Sequence, residues 1–171
     1  MGQGTDMGAR SQQPADRSGA GQTSDGHAVE LWGRVINGFE VTNRRIHEAI
    51  DRKFSLTEAE AQILLILHRQ PEHRAPMARL AQAASFSTGG FTKLADRLTQ
   101  RGYVIRAACA EDRRVTFLEF TAEGRGLAAR LTALTARTNR EVFIDVLGEE
   151  RAALVAEAMT ELCRANTPAE D

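Results

Sequence analysis

The chain has 171 residues, with 22 Lys and Arg against 23 Asp and Glu, a formal net charge of −1 and 42% hydrophobic residues. That length and apolar content support one compact domain, or one domain with an appended helical element. No segment approaches the roughly 20 apolar residues of a membrane span, and no signal-peptide core is present, so a cytoplasmic protein without a membrane partner is expected.

Residues 1–26 mix glycine, serine, glutamine and isolated charges without apolar periodicity, and a disordered tail is expected there because too little surface can be buried to offset ordering entropy. From residue 27 to about 52, Trp32, Val35, Ile36, Phe39, Ile46 and Ile50 keep to one broad stripe and predict a long helix that needs a partner surface. Thr57-Glu58-Ala59-Glu60 has the form of a capping box, so the next helix starts at about Glu58. Its Ile63, Leu64, Ile66 and Leu67 place it at the centre of the domain; Pro71 ends it, and residues 70–75 read as a turn.

A short helix over 77–84 follows Pro76, with Leu80, Ala81 and Ala84 at helical spacing. Residues 85–87 break it. Ser87 is a good N-cap for a second helix over 88–100, and Gly102 suits the C′ position after it. Phe91, Leu94, Ala95 and Leu98 share one face of this helix; Gly89, Thr92, Lys93, Asp96, Arg97 and Gln100 share the other. One face packs and the other is free to read. Gly89 and Gly90 each cost about 1 kcal/mol against alanine inside a helix, but in a first turn they allow close approach to a phosphate or base edge.

Two β-rich runs, 103–106 and 115–120, predict a hairpin with a charged tip. Between Lys93 and Arg114 there are six basic residues against three acidic ones. Such a local positive surface on a nearly neutral chain is the footprint of a phosphate-binding face. Thr121 can cap a helix that carries Leu127, Leu131, Leu134, Val142, Phe143 and Val146 to about Leu147, where Gly148 punctuates it. A last helix over 149–164 shows Leu154, Val155, Ala158 and Leu162, and 165–171 form a flexible tail. The terminal helices carry more apolar stripe than a small domain can cover, and a homodimer is the simplest answer.

The run Ser87-Thr88-Gly89-Gly90-Phe91-Thr92-Lys93-Leu94-Ala95-Asp96-Arg97-Leu98, then Gly102-Tyr103-Val104, Asp112-Arg113-Arg114 and Thr121-Ala122-Glu123-Gly124, resembles the winged helix-turn-helix of MarR-type transcriptional regulators. The resemblance implies a mainly α fold with a small β-hairpin wing: an N-terminal dimerisation helix at 27–55, a winged DNA-binding domain at 56–120 and C-terminal dimerisation helices at 121–164. It also implies that the helix over 88–100 enters a major groove, with Ser87, Thr88, Gly89, Thr92, Lys93 and Arg97 at the DNA. Arg113 and Arg114 would lie at the wing, and Asp112 would orient Arg114 in the minor groove. A narrow minor groove concentrates negative potential, and a carboxylate can hold a guanidinium in a bidentate pose. The implied protein is a homodimeric, ligand-responsive repressor on a pseudo-palindromic double-stranded operator, released by a small organic effector.

Other residues admit two readings. Trp32, Phe39 and His47 could line an effector pocket, although a dimer-core role for Trp32 stands equally open. Cys109, close to arginines, is the better of two cysteines for a redox switch, against the ordinary reading of reduced, inert thiols. The four histidines form no tight ligand pair, and neither metal nor cofactor is expected. Asp96-Arg97 could be a read-out pair, with an intrahelical or wing-directed salt bridge as the preferred role. A winged module used only for protein contact is the alternative to DNA binding. Without a glycine-rich strand-to-helix loop or a nucleophile constellation, an enzyme is not expected.

Overall fold

The structure, a computed structural model, describes residues 1, 18–109, 112 and 114–167. In chain order it contains α1 (Ser18–Phe54), α2 (Glu58–His68), a 3₁₀ turn (Pro71–His73), β1 (Arg74–Pro76), α3 (Met77–Ala83), α4 (Thr88–Gln100), β2 (Val104–Ala108), β3 (Thr116–Phe120), α5 (Ala122–Asn139), a π-helical turn (Arg140–Ile144), α6 (Asp145–Leu147) and α7 (Glu149–Asn166). Two units are distinguished, residues 1–40 and 41–171, with the division inside α1. In the first unit Val29, Leu31, Trp32, Val35, Ile36 and Phe39 are all exposed. No helix among the described residues is long and apolar enough to cross a membrane.

The core belongs to the second unit, and α2 runs through its middle: Ala61, Ile63, Leu64 and Leu67 have no exposed surface. Around them pack Ile50 and Leu56, Leu80 of α3, Phe91, Leu94 and Leu98 of α4, and Leu127 and Leu131 of α5. The helix starts where its capping box predicts. Thr57 Oγ1 accepts from Glu60 N at 3.3 Å, and Glu60 Oε2 accepts from Thr57 N at 2.9 Å, which satisfies two amides the helix itself leaves free.

Three features depart from the sequence reading. First, α1 begins at Ser18 rather than near His27, so residues 18–26 of the expected disordered tail are helical; residues 2–17 lie outside the described part. Extending a formed helix costs far less than nucleating one, which lets it run past its apolar stripe. Second, the expected hairpin is a three-stranded antiparallel sheet in the order β1-β3-β2, because Arg74, Ala75 and Pro76 pair with Glu119, Leu118 and Phe117. Proline is tolerated in β1 because that strand is an edge. It is entered through Glu72 and His73, both left-handed at φ 55°. Third, the helix after the hairpin is not uninterrupted α. A π-helical turn intervenes, and Asp145 N–H donates to Arg140 O, five residues back. The last helix ends at Asn166, and residues 168–171 of the expected tail are not described.

Candidate nucleic-acid interface

The exposed face of α4 is set by its two ends. At the first, Ser87 Oγ accepts from Gly90 N at 3.2 Å with Ser87 in extended backbone (φ −65°, ψ 151°), the geometry of an N-cap. At the second, Gly102 at φ 74° donates to Thr99 O and Tyr103 N donates to Leu98 O. This Schellman arrangement stops the helix and turns the chain into β2. Phe91, Leu94, Ala95 and Leu98 are buried, as the stripe predicts, while Ser87, Thr88, Gly89, Lys93 and Arg97 are exposed and Thr92 is half-buried. A β-carbon on Gly89 would meet nothing within 4 Å, so packing inside the chain does not require a glycine there.

The hairpin is bolted to the same helix. Arg106 of β2 donates to Thr92 O at 3.1 Å and pairs with Asp96 Oδ1 at 2.9 Å. Of the roles open to Asp96, the structure selects the wing-directed salt bridge. Sequence reading missed Arg106 as the other half of that pair; only the antiparallel alignment that sets Arg106 opposite Leu118 brings it over α4. Arg97 Nε lies 3.9 Å from Glu60 Oε1, and its side chain keeps 56% exposure. It thus leans toward the α2 end of the domain while remaining open to solvent.

At the hairpin tip the role expected of Asp112 changes. Asp112 Oδ1 accepts from the backbone N of Arg114 at 2.9 Å, and Val115 N donates to Asp112 O at 3.0 Å. The carboxylate therefore shapes the turn, as an Asx turn does, and does not grip the Arg114 guanidinium. Arg114 is exposed, and its side chain has no partner among the described residues. Arg113 lies outside them.

The remaining candidates fall elsewhere. Trp32 and Phe39, in the first unit, are 55% and 65% exposed. In the second unit His47 Nε2 lies 3.0 Å from Glu58 Oε1 and 3.1 Å from Asn43 Oδ1. Cys109 is half-buried and lines a cleft of about 460 Å³ with Arg74, Arg79 and Phe117, while Cys163 is exposed on α7. Both cysteines are free thiols.

Comparison with known proteins gives this arrangement a lineage. A sequence model of the MarR family matches residues 54–115, the stretch from the end of α1 to the hairpin tip. The HTH-type transcriptional regulator MhqR of Bacillus subtilis (strain 168) is 30% identical over 117 residues, covering 68% of this chain and 75% of that protein. Among solved structures, Sco3205, a MarR family transcriptional regulator from Streptomyces coelicolor in complex with DNA, superposes with a TM-score of 0.76 at 23% identity, over 82% of this chain and 89% of that one. AbsC, a MarR family regulator from the same organism, gives 0.73 at 22% identity, over 79% and 90%. A winged helix-turn-helix with this core, these caps and these relatives places the chain in the MarR family of transcriptional regulators.

Proposed function

We propose that the protein is a homodimeric repressor that binds a pseudo-palindromic operator in double-stranded DNA and is released by a small organic acid. The carrying observation is the coupling of two reading elements: the exposed start of α4, with Thr88, Gly89 and Lys93, is joined through Asp96–Arg106 to the hairpin that ends in Arg114. Thr88, Gly89, Thr92 and Lys93 then meet a major groove, with Ser87 and Arg97 beside the backbone. Arg113 and Arg114 follow the adjacent minor groove. Sco3205, of the same fold, is known in complex with DNA.

Exposed apolar side chains in each of the two units are available for subunit pairing. Trp32, Ile36 and Phe39 of α1 and Leu154, Val155, Met159 and Leu162 of α7 are open to solvent, and burial of such side chains returns about 25 cal/mol per Å². Two α4 helices related by a dyad then reach successive major grooves about 34 Å apart. For the effector, a cleft of about 360 Å³ between α1 and α5 offers Arg45, Arg52 and Arg137, three cations against the two carboxylates Glu48 and Glu141 that also line it, beside Ala49, Leu134 and Val142. Guanidinium groups recognise a carboxylate in two-pronged fashion.

The test is an anisotropy titration against the promoter region beside the protein's own gene at two salt concentrations, with sedimentation to read the oligomeric state. DNA binding that weakens as salt rises, by a dimer, is the expected result. Salt-indifferent affinity, unchanged by Arg114→Ala, would leave a winged module that contacts only proteins.

A further inference from the structure

Arg101 stands at the C-cap of α4, and it makes contacts far from its neighbours in sequence. Its Nη1 donates to Ser55 O at 2.9 Å and to Glu60 Oε2 at 3.3 Å, and its Nη2 donates to Phe54 O at 3.3 Å. The guanidinium carbon lies 5.1 Å from the centroid of the Tyr103 ring. Glu60, its acidic partner, is 4% exposed. The same Oε2 also accepts from Thr57 N and Thr57 Oγ1 at 2.9 and 3.0 Å.

Three helix ends therefore meet at one guanidinium: the C-terminus of α1, the N-terminus of α2 and the C-terminus of α4. Carbonyl ends carry partial negative charge and amide ends partial positive charge. The cation faces the ends of α1 and α4, and the buried carboxylate faces the start of α2, so every pairing at the junction has the favourable sign. A planar fork with several donors can hold two carbonyls and a carboxylate together, which a lysine ammonium on the same stem cannot reproduce.

We infer that Arg101 is a positioning residue for DNA binding: it clamps the far end of α4 to the last turn of α1 and thereby fixes the tilt at which Thr88, Gly89 and Lys93 are presented. A 13-residue helix is about 20 Å long, so a tilt of about 5° at Arg101 moves Thr88 by about 1.7 Å, more than a base-edge hydrogen bond tolerates. This inference rests on the DNA-binding reading, and its test separates the two.

The variants are Arg101→Lys, which keeps the charge and loses the fork, and Glu60→Gln, which keeps a residue competent for the capping box and removes the buried charge. Both are measured against the same promoter fragment, over a salt series, with circular dichroism and the thermal midpoint as checks that the protein stays folded. A clamp predicts that each change lowers affinity about tenfold, that the double variant is no worse than either single one, as residues acting in one network behave, and that the salt slope keeps its wild-type value. A third variant, Arg101→Ala, is measured in the same salt series: an Arg101 that instead touches phosphate predicts a slope lower by about one in it and unchanged or tighter binding by Glu60→Gln; either result overturns the inference. Wild-type affinity in Arg101→Lys overturns it as well. Failure of the underlying reading looks different: the wild-type protein itself then shows no salt-dependent binding.

Discussion

A β-carbon on Gly124 would stand 1.8 Å from the carbonyl oxygen of Tyr103, so the first turn of α5 rests directly on the backbone that leads into β2. Thr121 completes the joint. Its Oγ1 accepts from Gly124 N at 2.9 Å and donates to Gly102 O at 2.7 Å, while Thr121 N donates to Tyr103 O at 3.1 Å. The Thr-x-x-Gly after the hairpin is thus where the reading head is fastened to the helices behind it. Gly124→Ala has to push two backbones apart, and a loss of about 1–3 kcal/mol is expected, read as a lower urea midpoint with an unchanged slope. A midpoint equal to that of the wild type would show that the joint opens freely.

Ser87→Ala removes the oxygen that accepts from Gly90 N and should cost about 1 kcal/mol. Ser87→Asn, which keeps an acceptor, should recover most of that in the same thermal melt. If the two variants melt together, the cap contributes nothing and another contact starts α4.

The Asp96–Arg106 pair joins helix and hairpin with side chains 49% and 34% exposed. Pairs so open to solvent are worth only about 0.2–1 kcal/mol, so a double-mutant cycle with Asp96→Asn and Arg106→Gln should find a coupling in that range. The larger effect is local: amide exchange in β2 should quicken in either variant while α2 keeps its protection. Equal quickening in both elements would contradict a local bolt.

Asp112 shapes the turn at the hairpin tip by accepting from Arg114 N. Asparagine makes the same Asx turn. Asp112→Asn should therefore bind operator DNA close to wild type, and Asp112→Ala should bind several-fold more weakly. A deficit as large in Asp112→Asn as in Asp112→Ala would restore the ion-pair role to the carboxylate.

Lys93 and Arg114 are both exposed, and each replaced by alanine should lower the slope of log affinity against log salt by about one. Arg114→Ala should in addition narrow the preference for operators with A·T-rich flanks, where the minor groove is narrow. Titrations with paired A·T-rich and G·C-rich flanks decide this; an equal loss on both would assign Arg114 to phosphate alone.

Much of this protein is written locally. The bounds of α4 follow from Ser87, the Phe91–Leu94–Leu98 stripe and Gly102; the start of α2 follows from Thr57 and Glu60; and the break before α7 follows from Gly148 at φ 82°. Caps, periodicity and left-handed glycines act within a few residues of where they stand, so the chain order alone exposes them. What the tertiary structure decided is partner choice across distance. Ala75 becomes a strand residue only because Leu118 passes beside it, Arg106 finds Asp96 only once the hairpin folds over α4, and Arg101 reaches Ser55 across a separation of 46 residues. Such pairings leave no period and no cap in the sequence; they arise when packing on α2 brings the ends of separate helices together and closes the long loops between them.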